Sequence, residues 1–188
     1  MTPRRLYGPV VLATLAAGGA VVLTSGRPWA RTTVGGAGVP DDALGVTGTQ
    51  AVPLVAALGV VVVTAALGVL ATRGLGRRIV GGLVIALGLG IVLLVATAAE
   101  PLASAVDDAV AASPSFTGAN DPGEVERTAW RWVTLLCGVA VAALGVVVVR
   151  FASTWPGLSG RYEAPRGTRE DTDDDIWKAL DDGRDPTE

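Results

Sequence analysis

The stretch Arg73-Gly74-Leu75-Gly76-Arg77-Arg78-Ile79-Val80-Gly81-Gly82-Leu83-Val84-Ile85-Ala86-Leu87-Gly88-Leu89-Gly90-Ile91-Val92-Leu93-Leu94-Val95-Ala96-Thr97-Ala98-Ala99 decides the fold. Three arginines abut a long uncharged aliphatic run. A bilayer core about 30 Å thick needs roughly 20 apolar residues in helix, because lipid offers no partner to an open backbone amide. Residues 79–99 therefore predict a membrane-spanning helix. Working outward, residues 8–24, 51–71 and 132–149 also lack Asp, Glu, Lys and Arg. The predicted class is an all-α membrane protein: a four-transmembrane-helix bundle in residues 1–151, with loops at 25–50 and 100–131 and a tail at 152–188.

Composition points the same way. Half of the 188 residues are apolar, the mean hydropathy is +0.48, and only 18% are charged, against about 25% in soluble domains. A soluble globular enzyme and a disordered chain are both excluded. There is no His and one Cys, Cys137. This removes His-dependent acid–base chemistry, Cys-cluster metal sites and internal disulfides. No cofactor and no nucleic-acid partner is expected; the lipid bilayer is the first partner.

Orientation follows from the Lys and Arg bias between loops. If the N-terminal side is cytoplasmic, eleven of the 15 basic residues fall inside and only Arg27, Arg31, Arg127 and Arg131 outside. Arg4, Arg5, Arg73, Arg77 and Arg78 set the topology, since they crowd the span ends. The expectation is a multi-pass plasma-membrane protein with both termini cytoplasmic. Arg4-Arg5 ahead of a weak span also fits a signal peptide. No Ala-x-Ala site follows, so the first helix is read as retained.

The first external loop is Gly-rich, with β-favouring patches at 29–34 and 43–49 that predict a small hairpin. Such a hairpin is marginal alone and needs support from the other external loop. Trp29 is expected to anchor that loop among the headgroups. In the second external loop, Leu102, Ala105, Val106, Ala109 and Val110 recur at helical spacing opposite Asp107 and Asp108. Its acidic residues lack the spacing of a calcium loop and read as a solvated surface. Asn120-Asp121-Pro122 reads as the cap and first turn of the fourth helix, with Trp130 and Trp132 anchoring either side of Arg131.

The tail carries ten acidic and five basic residues. Asp173-Asp174-Asp175 followed by Ile176, Trp177 and Leu180 predicts a short helix over about 174–182 with one apolar face. A helix this short is unstable alone in water, so these three residues are the candidate docking site for a cytoplasmic protein. Within the spans, Gly82, Ala86 and Gly90 on the third helix and Gly138 and Ala142 on the fourth are the candidate packing residues. Small side chains let helix backbones approach where lipid removes the hydrophobic drive. Contacts within the bundle are favoured over a homo-oligomer seam, which the pattern does not indicate.

Several segments together resemble one family. They are Ser25-Gly26-Arg27-Pro28-Trp29, Val52-Pro53-Leu54-Val55-Ala56-Ala57-Leu58, Ala71-Thr72-Arg73-Gly74-Leu75-Gly76-Arg77-Arg78, Arg161-Tyr162 and Trp177-Lys178-Ala179-Leu180-Asp181-Asp182-Gly183-Arg184-Asp185-Pro186-Thr187. The chain resembles the tryptophan-associated transmembrane proteins of high-GC Gram-positive bacteria. That resemblance implies a four-span protein encoded among tryptophan biosynthesis genes and supplies no catalytic residues. Two functions are open: a non-enzymatic scaffold or regulatory protein, and a carrier or facilitator for tryptophan or an aromatic precursor. Intramembrane acid, base and nucleophile pairs are lacking, so no enzyme is expected.

Overall fold

The computed structural model describes residues 6–36, 39–118 and 122–155. Four long helices carry the apolar runs: α1 (Tyr7–Ser25), α3 (Pro53–Ala71), α4 (Leu75–Ala96) and α6 (Trp130–Phe151). The shorter pair has 19 residues and the longer pair 22, so each is long enough for a hydrocarbon core at about 1.5 Å per residue. α1 packs on α3 and α6, and α4 packs on the same two. The four helices thus form a closed ring, in chain order, with alternating direction. Their outward faces are apolar: Leu12, Leu54, Leu67, Leu83, Leu93 and Leu136 are all exposed, as a lipid-facing surface requires.

Between α1 and α3 the chain forms a small cap. β1 (Pro28–Gly36) pairs antiparallel with β2 (Val39–Thr47), with Ala30 opposite Val46 and Thr32 opposite Leu44. The expected hairpin is present, but its second strand ends at Thr47. There Thr47 and Gln50 form a capping box that starts the single turn α2 (Gly48–Ala51). Pro53 then sits in the first turn of α3, where its missing amide is harmless. The second span therefore starts at residue 53 rather than 51.

The turn from α3 to α4 is tight because Gly74 adopts φ +55°, a region costly to any residue with a Cβ. α4 starts at Leu75, four residues before the expected start at 79, so Arg77 and Arg78 belong to its first turn. It ends at Ala96, and α5 (Ala99–Ala112) follows almost at once. The hydrophobic run to residue 99 hid that break. α5 is amphipathic as expected: Leu102, Val106 and Val110 are buried, while Asp107 and Asp108 face solvent.

The expected cap of the fourth helix also differs. Pro122 is not in the fourth helix, which begins at Trp130; Asn120 and Asp121 lie outside the described residues. The intervening chain is drawn to the sheet instead. Glu126–Arg127 forms β3 on the free edge of β1, giving the order β2-β1-β3. Gly123 N donates to Thr33 O (2.8 Å) and Thr128 N to Trp29 O (2.9 Å). The second loop thus supplies the support a lone hairpin lacks.

Candidate functional site

The bundle is drawn together by glycines, at positions that only the tertiary contacts reveal. A Cβ on Gly88 of α4 would lie 2.5 Å from Ala142 N on α6, and one on Gly145 would lie 2.8 Å from Ile85 N. A Cβ on Gly138 would lie 2.8 Å from Ile91 Cγ2. Gly18 and Gly59 make the matching close approach between α1 and α3. The expected α4 stripe is displaced: a Cβ on Gly82 meets nothing within 4 Å, and Ala86 is exposed. Gly90 instead faces Leu58 on α3. Gly138 and Ala142 do stand in the α4–α6 seam. On α4 the glycines that meet α6 are Gly81 and Gly88, which stand seven residues apart, so the i, i+4, i+8 spacing of Gly82, Ala86 and Gly90 marked a different face of the helix.

The arginines also separate. Arg73 and Arg78 are exposed. Arg77 is completely buried, at the end of the bundle remote from the sheet. Its guanidinium lies 4.9 Å from the Tyr7 ring centroid and 6.0 Å from that of Trp155, and Nη1 donates to the Trp155 carbonyl at 3.3 Å. Tyr7 meets Trp155 edge to face, and Phe151 stacks on Trp155. The cation therefore joins the start of α1, the first turn of α4 and the chain just past α6. Burial without a compensating partner would be prohibitive for a guanidinium; the carbonyl and the two π-faces provide that compensation. This role was not legible in the sequence, where Tyr7 and Trp155 are 148 positions apart. Arg4, Arg5, Ile176, Trp177 and Leu180 lie outside the described residues.

At the opposite end, Trp29 is not among headgroups but fully buried. Its Nε1 donates to the Thr24 carbonyl at 3.2 Å. Gly48 packs directly against its indole, leaving no room for a Cβ. Beside it, Thr24 Oγ1 donates to Ala20 O at 2.7 Å, and Thr134 Oγ1 donates to Thr24 Oγ1 at 2.9 Å. This pair ties α1 to α6. Further out, Ser113 Oγ donates to an Asp42 carboxylate oxygen at 2.7 Å, fastening the end of α5 to β2. The cap is thus bonded to α1 through the Trp29 indole, next to the threonine pair that joins α1 to α6.

Where the cap meets the bundle there is a half-open cleft of about 130 Å³. Its floor is Ala30 of β1 with Leu102 and Val106 of α5, all buried. Asp107, Arg127 and Arg131 stand around it. Arg131 is held in place: Nε donates to Val95 O (3.1 Å) and Nη2 to Ala96 O (3.0 Å), closing the last turn of α4. Its guanidinium also lies 5.7 Å from the Trp132 ring, while Arg27 covers Trp130 at 5.5 Å. The sequence places Asp107 on a solvated face and Arg131 between the anchoring residues Trp130 and Trp132. Only the pairing of β3 with β1 brings Arg127 alongside them. Among the described residues no three His, Cys, Asp or Glu side chains converge as metal ligands would.

Four apolar helices in a closed ring, with a sheet-and-helix cap on one end, define a polytopic membrane protein. The chain belongs to the tryptophan-associated transmembrane protein family, whose model matches residues 11–187, nearly its whole length. No curated protein and no solved structure matches it.

Proposed function

We propose that this protein is a non-enzymatic scaffold or regulatory protein of the plasma membrane, serving tryptophan biosynthesis. The observation that carries this reading is the close packing of the ring. Glycine seams bring α1 against α3 and α4 against α6 at backbone distance. The described charged residues of the four helices stand only in first or last turns. Thr14 (2.8 Å), Thr64 (3.1 Å) and Thr97 (2.9 Å) each donate to a carbonyl of the preceding helical turn, and Thr134 donates to Thr24 across the α1–α6 contact. Charged or polar groups along a translocation path are the usual mark of a transporter, and an acid–base pair that of an enzyme. The bundle supports an anchor better than either. The arginine bias supports a cytoplasmic base and tail with the cap outside.

In this reading the tail residues Ile176, Trp177 and Leu180 dock on a cytoplasmic biosynthetic enzyme. A pull-down in mild detergent, with wild-type protein and Trp177→Ala, tests it by mass spectrometry. Loss of a tryptophan-pathway enzyme in the variant supports recruitment; equal recovery refutes it. Proteoliposomes test the carrier reading in parallel. Uptake of tryptophan or anthranilate at the level of protein-free vesicles is expected, and uptake above that level overturns the anchor reading.

A further inference from the structure

We propose that the cleft between α5, the sheet and the start of α6 binds a zwitterionic α-amino acid with an apolar side chain about one ring in size. The site goes beyond tail recruitment and does not depend on it. Three features of the cleft select this chemistry. The first is volume. About 130 Å³ is close to an apolar cavity that accepts a benzene-sized guest, so a six-membered ring or a branched aliphatic group fills the floor. The second is the floor itself. Ala30, Leu102 and Val106 present no polar side-chain atom, and all three are buried by the cap. An apolar group seated there leaves water without losing a hydrogen bond.

The third feature is charge of both signs around one apolar floor. Arg127 and Arg131 offer guanidinium donors for a carboxylate, and Asp107 offers an acceptor for an ammonium. An apolar floor with a few convergent polar groups is the usual composition of a small-molecule site. A neutral hydrocarbon leaves these charges unused, an organic anion leaves Asp107 against like charge, and an amine leaves the arginines so. The zwitterion satisfies all three. Arg131 is preorganised for this, since two of its five N–H donors are already committed to the end of α4. That anchoring lowers the ordering cost of binding. Asp107 sits on α5 one residue past Val106, so the helix that supplies the floor also sets the carboxylate at its edge.

The test uses the full chain in detergent and isothermal titration with L-phenylalanine, L-leucine and L-tryptophan. Saturable binding of at least one is expected. For phenylalanine, 3-phenylpropionate (no ammonium) and phenethylamine (no carboxylate) should each bind about tenfold more weakly or worse, the scale of one lost charge-assisted hydrogen bond. Asp107→Asn and Arg127→Gln, both at exposed positions, should weaken the amino acid by a similar factor. Ala103→Phe, also exposed and on the cleft wall, should abolish binding without moving the thermal midpoint. No saturable binding of any of the three amino acids overturns the proposal. So does binding that Ala103→Phe leaves unchanged, or that phenethylamine and 3-phenylpropionate match.

Discussion

Replacing Gly88 by Leu should destabilise the bundle, whereas the same replacement at Gly82 should not. At Gly88 even the first carbon of a side chain would stand 2.5 Å from Ala142 N and 2.9 Å from both Cα and Cβ of Ala142. Ordinary contact begins near 3.4 Å, so α4 and α6 must part by about 0.9 Å at that level. The obstacle is backbone, which cannot rotate away. A radial gap of that size forfeits a quarter to a half of each dispersion contact it opens, and the seam holds Ile85, Ile91, Val92, Val148 and Val149. Overpacking typically costs about 1–3 kcal/mol; with the rest of the leucine still to place, we expect about 3 kcal/mol. On the scale of soluble proteins of this size that is a fall in Tm of roughly 10 °C. At Gly82 nothing lies within 4 Å of the new carbon, and leucine there simply faces lipid. Thermal unfolding of both variants in one detergent, followed by circular dichroism, compares them directly. Equal midpoints, or a larger loss at Gly82, would refute the assignment of the seam.

The other expectations concern the two ends of the bundle. Arg77→Ala removes the cation between Tyr7 and Trp155 and should cost about 2 kcal/mol, the scale of a desolvated cation–π contact; Arg78→Ala, exposed one residue on, should cost little. A comparable midpoint for the two would show that the buried guanidinium is not a structural link. Thr134→Val breaks the α6–α1 hydroxyl pair and should cost about 0.6 kcal/mol, the average for such bonds in membranes. Thr64→Val, whose hydroxyl serves only its own helix, is the control, and chemical unfolding that fails to separate them would count against the link.

How far sequence reading reached can be judged residue by residue. The spans were legible because their signal is local: a charge-free run of the right length has few alternatives in lipid. α5 was legible for the same reason, through the spacing of Leu102, Val106 and Val110. The hairpin was legible from its turn residues, though its second strand ended early, where Thr47 and Gln50 cap α2. Failures came where two segments compete for the same residues. Pro122 has the chemistry of a helix start, but the chain from Gly123 to Thr128 bonds along the edge of β1 instead, and that edge is nearly a hundred residues away in sequence.

Trp29 shows the limit most clearly. Its position beside a span end suits a headgroup anchor, yet the cap folds over it and the Thr24 carbonyl accepts a hydrogen bond from its Nε1. Burial is a property of what else arrives at a site, which no window of sequence contains. The amino-acid sequence by itself therefore determined the class, the number of spans, the two-sided charge bias and the kind of chemistry available, because each depends on composition or short-range periodicity. The tertiary structure alone decided which of many glycines form the seams, that Arg77 is enclosed by Tyr7 and Trp155, and that Asp107, Arg127 and Arg131 share one cleft. Those facts depend on contacts between residues far apart in the chain, and on which face of each helix the closed ring turns inward.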